Sequence, residues 1–274
     1  MSVEAFLIDF HNQRPGLTAI ALGDLPITCG AQHYSSSYAL LASVIPVNVD
    51  ETSVLDLACG DGFLLALLES RRQQNLHLSG IDMSTGELHR ASVRLQASTK
   101  LIEGTAQHLP WPAKSFDHVL CHMAFMLMEN VEEVVREIRR VLKQSGTYSA
   151  IVGASAPSSV AIQAFKTVFA RYQRKPGMEK VRFGDPRTRT REGIHELLSH
   201  GFFNLVINDI QIPLRLTPEE VWNRFANMYD LSMISASDGD SVREEFLPLI
   251  RAACGADGKL DYEENFRYFS AQVR

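Results

Sequence analysis

Residues 54–63, VLDLACGDGF, set two carboxylates and two glycines around one cysteine. Asp56 lies at the end of an apolar run, where its charge disfavours a phosphate and favours an ammonium, met directly or through water. Gly60 and Gly62 let a ligand approach the backbone with no Cβ in the way. The spacing Ala58-x-Gly60-x-Gly62 departs from the GxGxxG dinucleotide fingerprint, so the turn is a poor pyrophosphate cradle. Asp82 ends the next apolar run, twenty residues after Gly62. An acid there can hold a ribose diol through two hydrogen bonds, and Met83 beside it can pack on a flat base. His122 closes a further apolar run and faces the same crevice, as a ligand contact, a general base or an ordinary packed histidine. Cys59 reads as a small packed residue.

These residues need strands that end side by side. The sequence predicts strands at 53–58, 76–82, 100–106, 118–124 and 146–154. Helices are predicted between them, the clearest over 131–142, where Val131, Val134, Val135, Ile138, Val141 and Leu142 share one face. Asn130 and Glu133 resemble a capping box at its start. Strands alternating with helices imply a parallel sheet covered on both faces, with ligands at the carboxyl ends of the strands. Residues 1–30 read as a partly ordered arm and 34–46 as a helix ended by Pro46. After residue 155 come a helix, a basic loop and a second helix, then a strand over 205–216. A helix with Thr217 as N-cap, Pro218 at N1 and Glu220 completing a capping box follows, and a final strand begins near Tyr268.

The runs VLDLACGDG, GIDMS, EGTAQHLPWPAKSFDHVLC and VEEVVREIRRVLKQSGTYSAIVG together resemble the class I S-adenosylmethionine-dependent methyltransferases, of the small Rossmann-like type. The resemblance is close over about residues 34–154 and loose beyond. It implies an α/β fold, a Rossmann-like doubly wound seven-stranded sheet with the last strand antiparallel and a helical cap. It implies S-adenosylmethionine as cofactor, with Asp56, Ala58, Gly60 and Gly62 at its amino-acid end, Asp82 on the ribose and Met83 on the adenine. Thr105, Ala106 and Gln107 would lie at the adenine edge, and Cys121 and His122 near the sulfonium. Two positions depart from the family pattern: Ala58 replaces the first loop glycine, and Thr105 replaces an acid. AFMLMEN after the fourth strand supplies no obvious general base.

The expected organisation is an N-terminal arm and cap helix (1–48), a cofactor-binding core (49–154), a lid (155–200) and a C-terminal completion of the sheet with a helical insertion (201–274). Tyr34 in the arm could close over the cofactor or simply pack. Phe165, Phe169 and Tyr172 recur at helical spacing, either as a buried face or as aromatic rings turned to the sulfonium, where a cation gains on the order of 0.5–2 kcal/mol. On the second reading Tyr172 joins His122 as a catalytic candidate. Eight Lys and Arg lie from Arg171 to Arg191, a solvated lid or a surface for an anionic or carrier-bound acceptor.

A net charge of −5 argues against a nucleic-acid partner, and no apolar run is long enough to span a membrane. No signal peptide is expected, and the scattered cysteines Cys29, Cys59, Cys121 and Cys254 form no CxxC pair, so no metal site is expected and a cytoplasmic setting fits. Three functions follow: methyl transfer to a small molecule in biosynthesis, an intramolecular cyclisation of the cofactor to azetidine-2-carboxylate and methylthioadenosine, or a non-catalytic cofactor-binding module.

Overall fold

The computed structural model describes residues 2–47, 50–154, 159–173 and 183–274. It divides into one unit of Met1–Ser155, Phe183–Ile210 and Phe266–Arg274, and a second of Ala156–Arg182 and Gln211–Asn265.

The first unit starts with α1 (Val3–Gln13) and α2 (Leu17–Leu22). The expected partly ordered arm is therefore helical. The Ser2 hydroxyl accepts from the Ala5 N–H as N-cap, and Leu7 and Phe10 are buried. A hairpin of β1 (Ile27–Cys29) and β2 (Gln32–Tyr34) leads into α3 (Ser37–Ser43). The core follows as β3 (Thr52–Leu57), α4 (Phe63–Glu69), β4 (Leu76–Asp82), α5 (Thr85–Arg94), β5 (Lys100–Glu103), β6 (Phe116–His122), α6 (Val131–Val141) and β7 (Leu142–Gly153). Later segments supply α7 (Val160–Tyr172), α8 (Arg191–Leu198), β8 (Phe202–Leu216), α9 (Pro218–Ala226), α10 (Tyr229–Ser232), α11 (Ala236–Ala253) and β9 (Leu260–Val273).

Seven strands form one sheet in the order β5-β4-β3-β6-β7-β9-β8. β3, β4, β5, β6 and β7 pair in parallel, and β9 runs antiparallel to β7. This is the doubly wound sheet expected, with strand order reversing at β3. Val54, Leu55 and Leu57 are fully buried, as a strand covered on both faces requires. α6 buries Val131, Val134, Val135, Ile138 and Val141, while Glu132 and Glu133 at its start and Arg139 and Arg140 at its end complement its dipole. The capping box expected at Asn130 does not form. Asn130 takes a left-handed conformation (φ 49°) with no side-chain cap, and Glu133 pairs with Arg136.

The segment 183–200, expected in a lid, belongs to the first unit, because Ile194, Leu197 and Leu198 of α8 join the core that α6 covers. The second unit packs α7, α9 and α11 around Phe165, Phe169, Trp222, Phe225 and Phe246. Phe165 stacks on Phe169 and on Phe225 at centroid distances of 5.3 and 4.7 Å. Here the capping box at Thr217 and Glu220 does form. Of the basic stretch read from Arg171 to Arg191, residues 174–182 lie outside the described residues.

Candidate active site

The turn from β3 to α4 alternates left-handed residues: Ala58 (φ 57°), Gly60 (φ 52°) and Gly62 (φ 74°). Two glycines make this tight path accessible, and Ala58 takes it at a cost of about 1–2 kcal/mol. Gly62 also lets the turn meet α5, since a Cβ there would stand 2.7 Å from Leu95 Cδ1. Cys59 is buried, with its sulfur 2.7 Å from where a Cβ on Gly80 would stand. That close fit makes it a packed residue, and burial raises its thiol well above the ordinary range.

Asp56, Asp61, Asp82 and Glu87 are four buried carboxylates around this turn. Asp82 Oδ2 accepts the Gly60 N–H at 2.8 Å and Oδ1 accepts the Ser84 N–H at 2.9 Å. These bonds hold the turn against the end of β4 and leave lone pairs for a diol. Asp61 pairs with Arg94 at 2.7 Å. Asp56 is only 2% exposed, and its Oδ1 has no hydrogen-bond partner among the described residues. Burial, then the charges of Asp82 and Asp61, hold its carboxyl well above the usual carboxylate range. A buried oxygen left this way calls for a donor, and an ammonium answers both its charge and its lone pairs.

The N-terminal segment reaches the same place, which sequence reasoning missed. Glu87 accepts the Gly16 N–H at 2.8 Å and contacts His11 Nδ1 at 3.1 Å. Asn12 Oδ1 accepts from the Ser84 hydroxyl at 2.8 Å and the Gly86 N–H at 2.9 Å. Gly86 permits this approach, since a Cβ there would stand 2.9 Å from Asn12 Cα. The signal was present as Ser84-Thr85-Gly86-Glu87, a capping-box pattern. Only half of it forms: Ser84 Oγ accepts the Glu87 N–H, while the Glu87 carboxylate turns to Gly16 and His11.

Met83 is half-buried just beyond β4. After β5, Thr105 is half-buried and Ala106 is buried in the core. Gln107 Nε2 donates to the Glu129 carbonyl at 2.9 Å and to Glu4 at 3.3 Å, so it ties α1 to this loop.

Cys121 and His122 are not brought together. Neighbouring strand residues point to opposite faces. Cys121 lies in the core with Val119 and Tyr148, where burial, above the charge of Asp56, pushes its thiol up to about 12. Its side chain is therefore a core group and not one that lines the crevice. His122 faces α3, with Nε2 2.9 Å from Ser37 Oγ and its ring stacked on Tyr38 at 3.6 Å. Burial lowers its pKa to about 3, so it is neutral at physiological pH and a weak base. Nothing in the sequence marked Ser37 and Tyr38 as its partners. Tyr34 bonds through its hydroxyl to Gln32 within the hairpin. Tyr172 belongs to the second unit, where its hydroxyl donates to Glu245 at 2.7 Å.

Residues 55–150 match the methyltransferase domain family. A demethylmenaquinone methyltransferase of Thermotoga maritima is 37% identical over 100 residues, covering 36% of this chain and 43% of that protein. The chain spans about half the length, or less, of the curated relatives it matches. Among solved structures, the YcgJ protein from Bacillus subtilis has a TM-score of 0.57 at 20% identity, over 87% of this chain and 98% of that one. A Haemonchus contortus phosphoethanolamine N-methyltransferase 2 bound to S-adenosyl-L-methionine has a TM-score of 0.52 at 18% identity, over 86% of this chain and 52% of that one. Residues 55–150 are thus similar to a methyltransferase domain, and the sheet has the fold of a methyltransferase solved with S-adenosyl-L-methionine bound. The matching domain family and the Thermotoga maritima and Haemonchus contortus proteins are methyltransferases by name and give the cyclising alternative no support.

Proposed function

We propose that the chain transfers the methyl group of S-adenosylmethionine to a small-molecule acceptor. The observation that carries this reading is the unpartnered Oδ1 of buried Asp56 beside a glycine turn pinned to Asp82. The residues fit the cofactor: Asp56 would take its ammonium, Asp82 its ribose, Met83 and Thr105 its base. When bound, the cofactor supplies an electrophilic methyl on a sulfonium.

The chain's own part is to hold and orient. His122 is neutral and Cys121 keeps its proton, so neither is suited to deprotonate an acceptor at physiological pH. This favours an acceptor that is already nucleophilic, with proximity and orientation supplying most of the acceleration. The apolar groups after β6, including Phe125 and Met126, keep water away from that end of the sheet. The relatives' names favour a biosynthetic role. Four free cysteines suit a reducing compartment such as the cytoplasm, and among the described residues no helix is long and apolar enough to cross a membrane.

Calorimetric titration should show binding of both S-adenosylmethionine and S-adenosylhomocysteine. With methyl-labelled cofactor and a panel of small phenols, amines and carboxylates, label should move to at least one acceptor. Absence of binding by both cofactor forms would overturn the reading.

A further inference from the structure

Three arginines stand two residues apart after Phe183, in very different surroundings. Arg187 is clamped by Asp185 at 2.6 Å, by Glu196 at 3.0 Å and by Glu132. Arg191 pairs with Asp209 at 3.0 Å. Arg189, between them, has no carboxylate partner among the described residues. Its Nη2 donates to the Met126 carbonyl at 3.3 Å. The side chain is half-buried, and burial alone lowers its pKa from the ordinary arginine value. A cation is kept partly from water with one neutral acceptor in return.

The backbone around this cation is firmly held. Arg267 donates to the Arg189 carbonyl. Buried Thr188 turns its hydroxyl onto the Asp185 carbonyl at 2.6 Å. Gly184 (φ 58°) crosses so near Met126 that a Cβ would stand 2.4 Å from that carbonyl oxygen. Met126 itself follows β6, and the methyls of Met123 and Met126 lie 3.8 and 3.9 Å from where a Cβ on Gly153, the last residue of β7, would stand. Arg189 is therefore fastened beyond the carboxyl ends of β6 and β7. That is the edge of the sheet at which ligands of this fold bind. All these residues belong to the first unit.

We infer that Arg189 is the anchor for a carboxylate or phosphate group on the methyl acceptor. A guanidinium offers a planar fork to either anion, and a bidentate pair restores what Arg189 loses in solvation. The neighbours explain why this one is free to do so: Arg187 and Arg191 spend their forks on the protein's own carboxylates. The assignment rests on the transferase reading and narrows its acceptor to an anion.

The test uses the full chain saturated with S-adenosylhomocysteine. It is titrated with phenylacetate, phenyl phosphate and neutral phenylacetamide, read by calorimetry and by arginine Nε–H resonances. The Arg189 resonance is assigned from Arg189→Lys. At least one anion should bind about tenfold or more tightly than phenylacetamide and shift the Arg189 resonance. The two anions separate a carboxylate site from a phosphate site. Arg189→Gln should lose the preference, Arg189→Lys should keep part of it, and Arg191→Gln should keep it whole. Equal affinity for the three probes, no binding by any of them, or a preference that survives Arg189→Gln overturns the assignment. Should Arg189→Gln not fold, the shift of the Arg189 resonance in the unaltered chain decides. Binding of S-adenosylhomocysteine is measured first; its absence would count against the transferase reading, and the same probes on the unloaded chain would still decide the anion site.

Discussion

The turn after β3 and the turn after β6 lie at the same edge of one sheet and are built from opposite materials. After β3, backbone N–H groups of Gly60, Ser84 and Gly16 donate to buried carboxylates, and one carboxylate oxygen of Asp56 is left over. After β6, Phe125 and Met126 are buried apolar groups, His122 is neutral and the Cys121 thiol is turned into the core. One turn is organised to recognise charge, and the other to surround a reacting group without exchanging protons with it. On the proposed function, recognition of the cofactor falls to the first turn, and the second excludes water and sets geometry.

The largest expected effect comes from the polar turn. Gly62→Ala puts a Cβ against Leu95 and Ala91 at a left-handed position. Strain and overpacking together should cost about 2–5 kcal/mol, visible as a lower midpoint in denaturant unfolding. An unchanged midpoint would mean the turn does not need its close fit to α5.

Asp56→Asn comes next. Calorimetry should show at least a roughly tenfold loss of S-adenosylmethionine affinity, since a charge-assisted bond to the ammonium becomes a neutral one. The unliganded protein should behave oppositely. Because the folded carboxyl titrates above its ordinary range, the folded state holds a proton that the unfolded state releases. That stability is fully present below about pH 4 and is lost as pH rises toward the folded value. Unfolding measured from pH 4 upward should therefore fall less steeply in Asp56→Asn, although Asp82 and Asp61, also raised, keep part of the slope. Identical slopes would remove Asp56 from the account.

The smallest effect belongs to the apolar turn. His122→Gln should reduce kcat less than about tenfold, through lost contact with Ser37 and Tyr38. A general base would cost on the order of 10²–10⁴-fold. The kcat profile of the unaltered protein should show no His122 inflection between pH 5 and 8, because burial has moved its titration to about 3. A loss in the larger range together with an inflection near pH 6 to 7 would restore His122 as the base.

Much of the sheet was legible because buried parallel strands are continuous apolar runs. Thr52–Leu57, Leu76–Asp82 and Phe116–His122 each fall within two residues of the segments read from sequence. Local pattern failed where a side chain took another partner, near or far. Asn130-x-x-Glu133 and Thr217-x-x-Glu220 carry the same kind of motif, yet only the second caps, because Asn130 is left-handed and Glu133 turns to Arg136. Ser84 and Glu87 split the motif for a similar reason: Glu87 is drawn to Gly16, seventy-one residues earlier in the chain. The N-terminal segment was the largest miss, since its Pro15-Gly16 break looks like a loose arm until Gly16 is seen bound to Glu87.

The sequence by itself determined the chemistry available at the sheet's edge. Asp56, Gly60, Gly62 and Asp82 are fixed by spacing, because strand length and the turn that follows leave little freedom in where they stand. Tertiary structure decided what those groups and their neighbours can do. It buried His122 until it ceased to be a useful base, packed Cys121 into the core, and closed the carboxylate cluster with α1. It also bound Arg187 and Arg191 to acids while leaving Arg189, among the described residues, with the Met126 carbonyl. Several of those outcomes depend on partners far away in sequence, such as Ser37 for His122 and Gly16 for Glu87, and a side chain's charge state follows from its burial and its partners more than from its own identity.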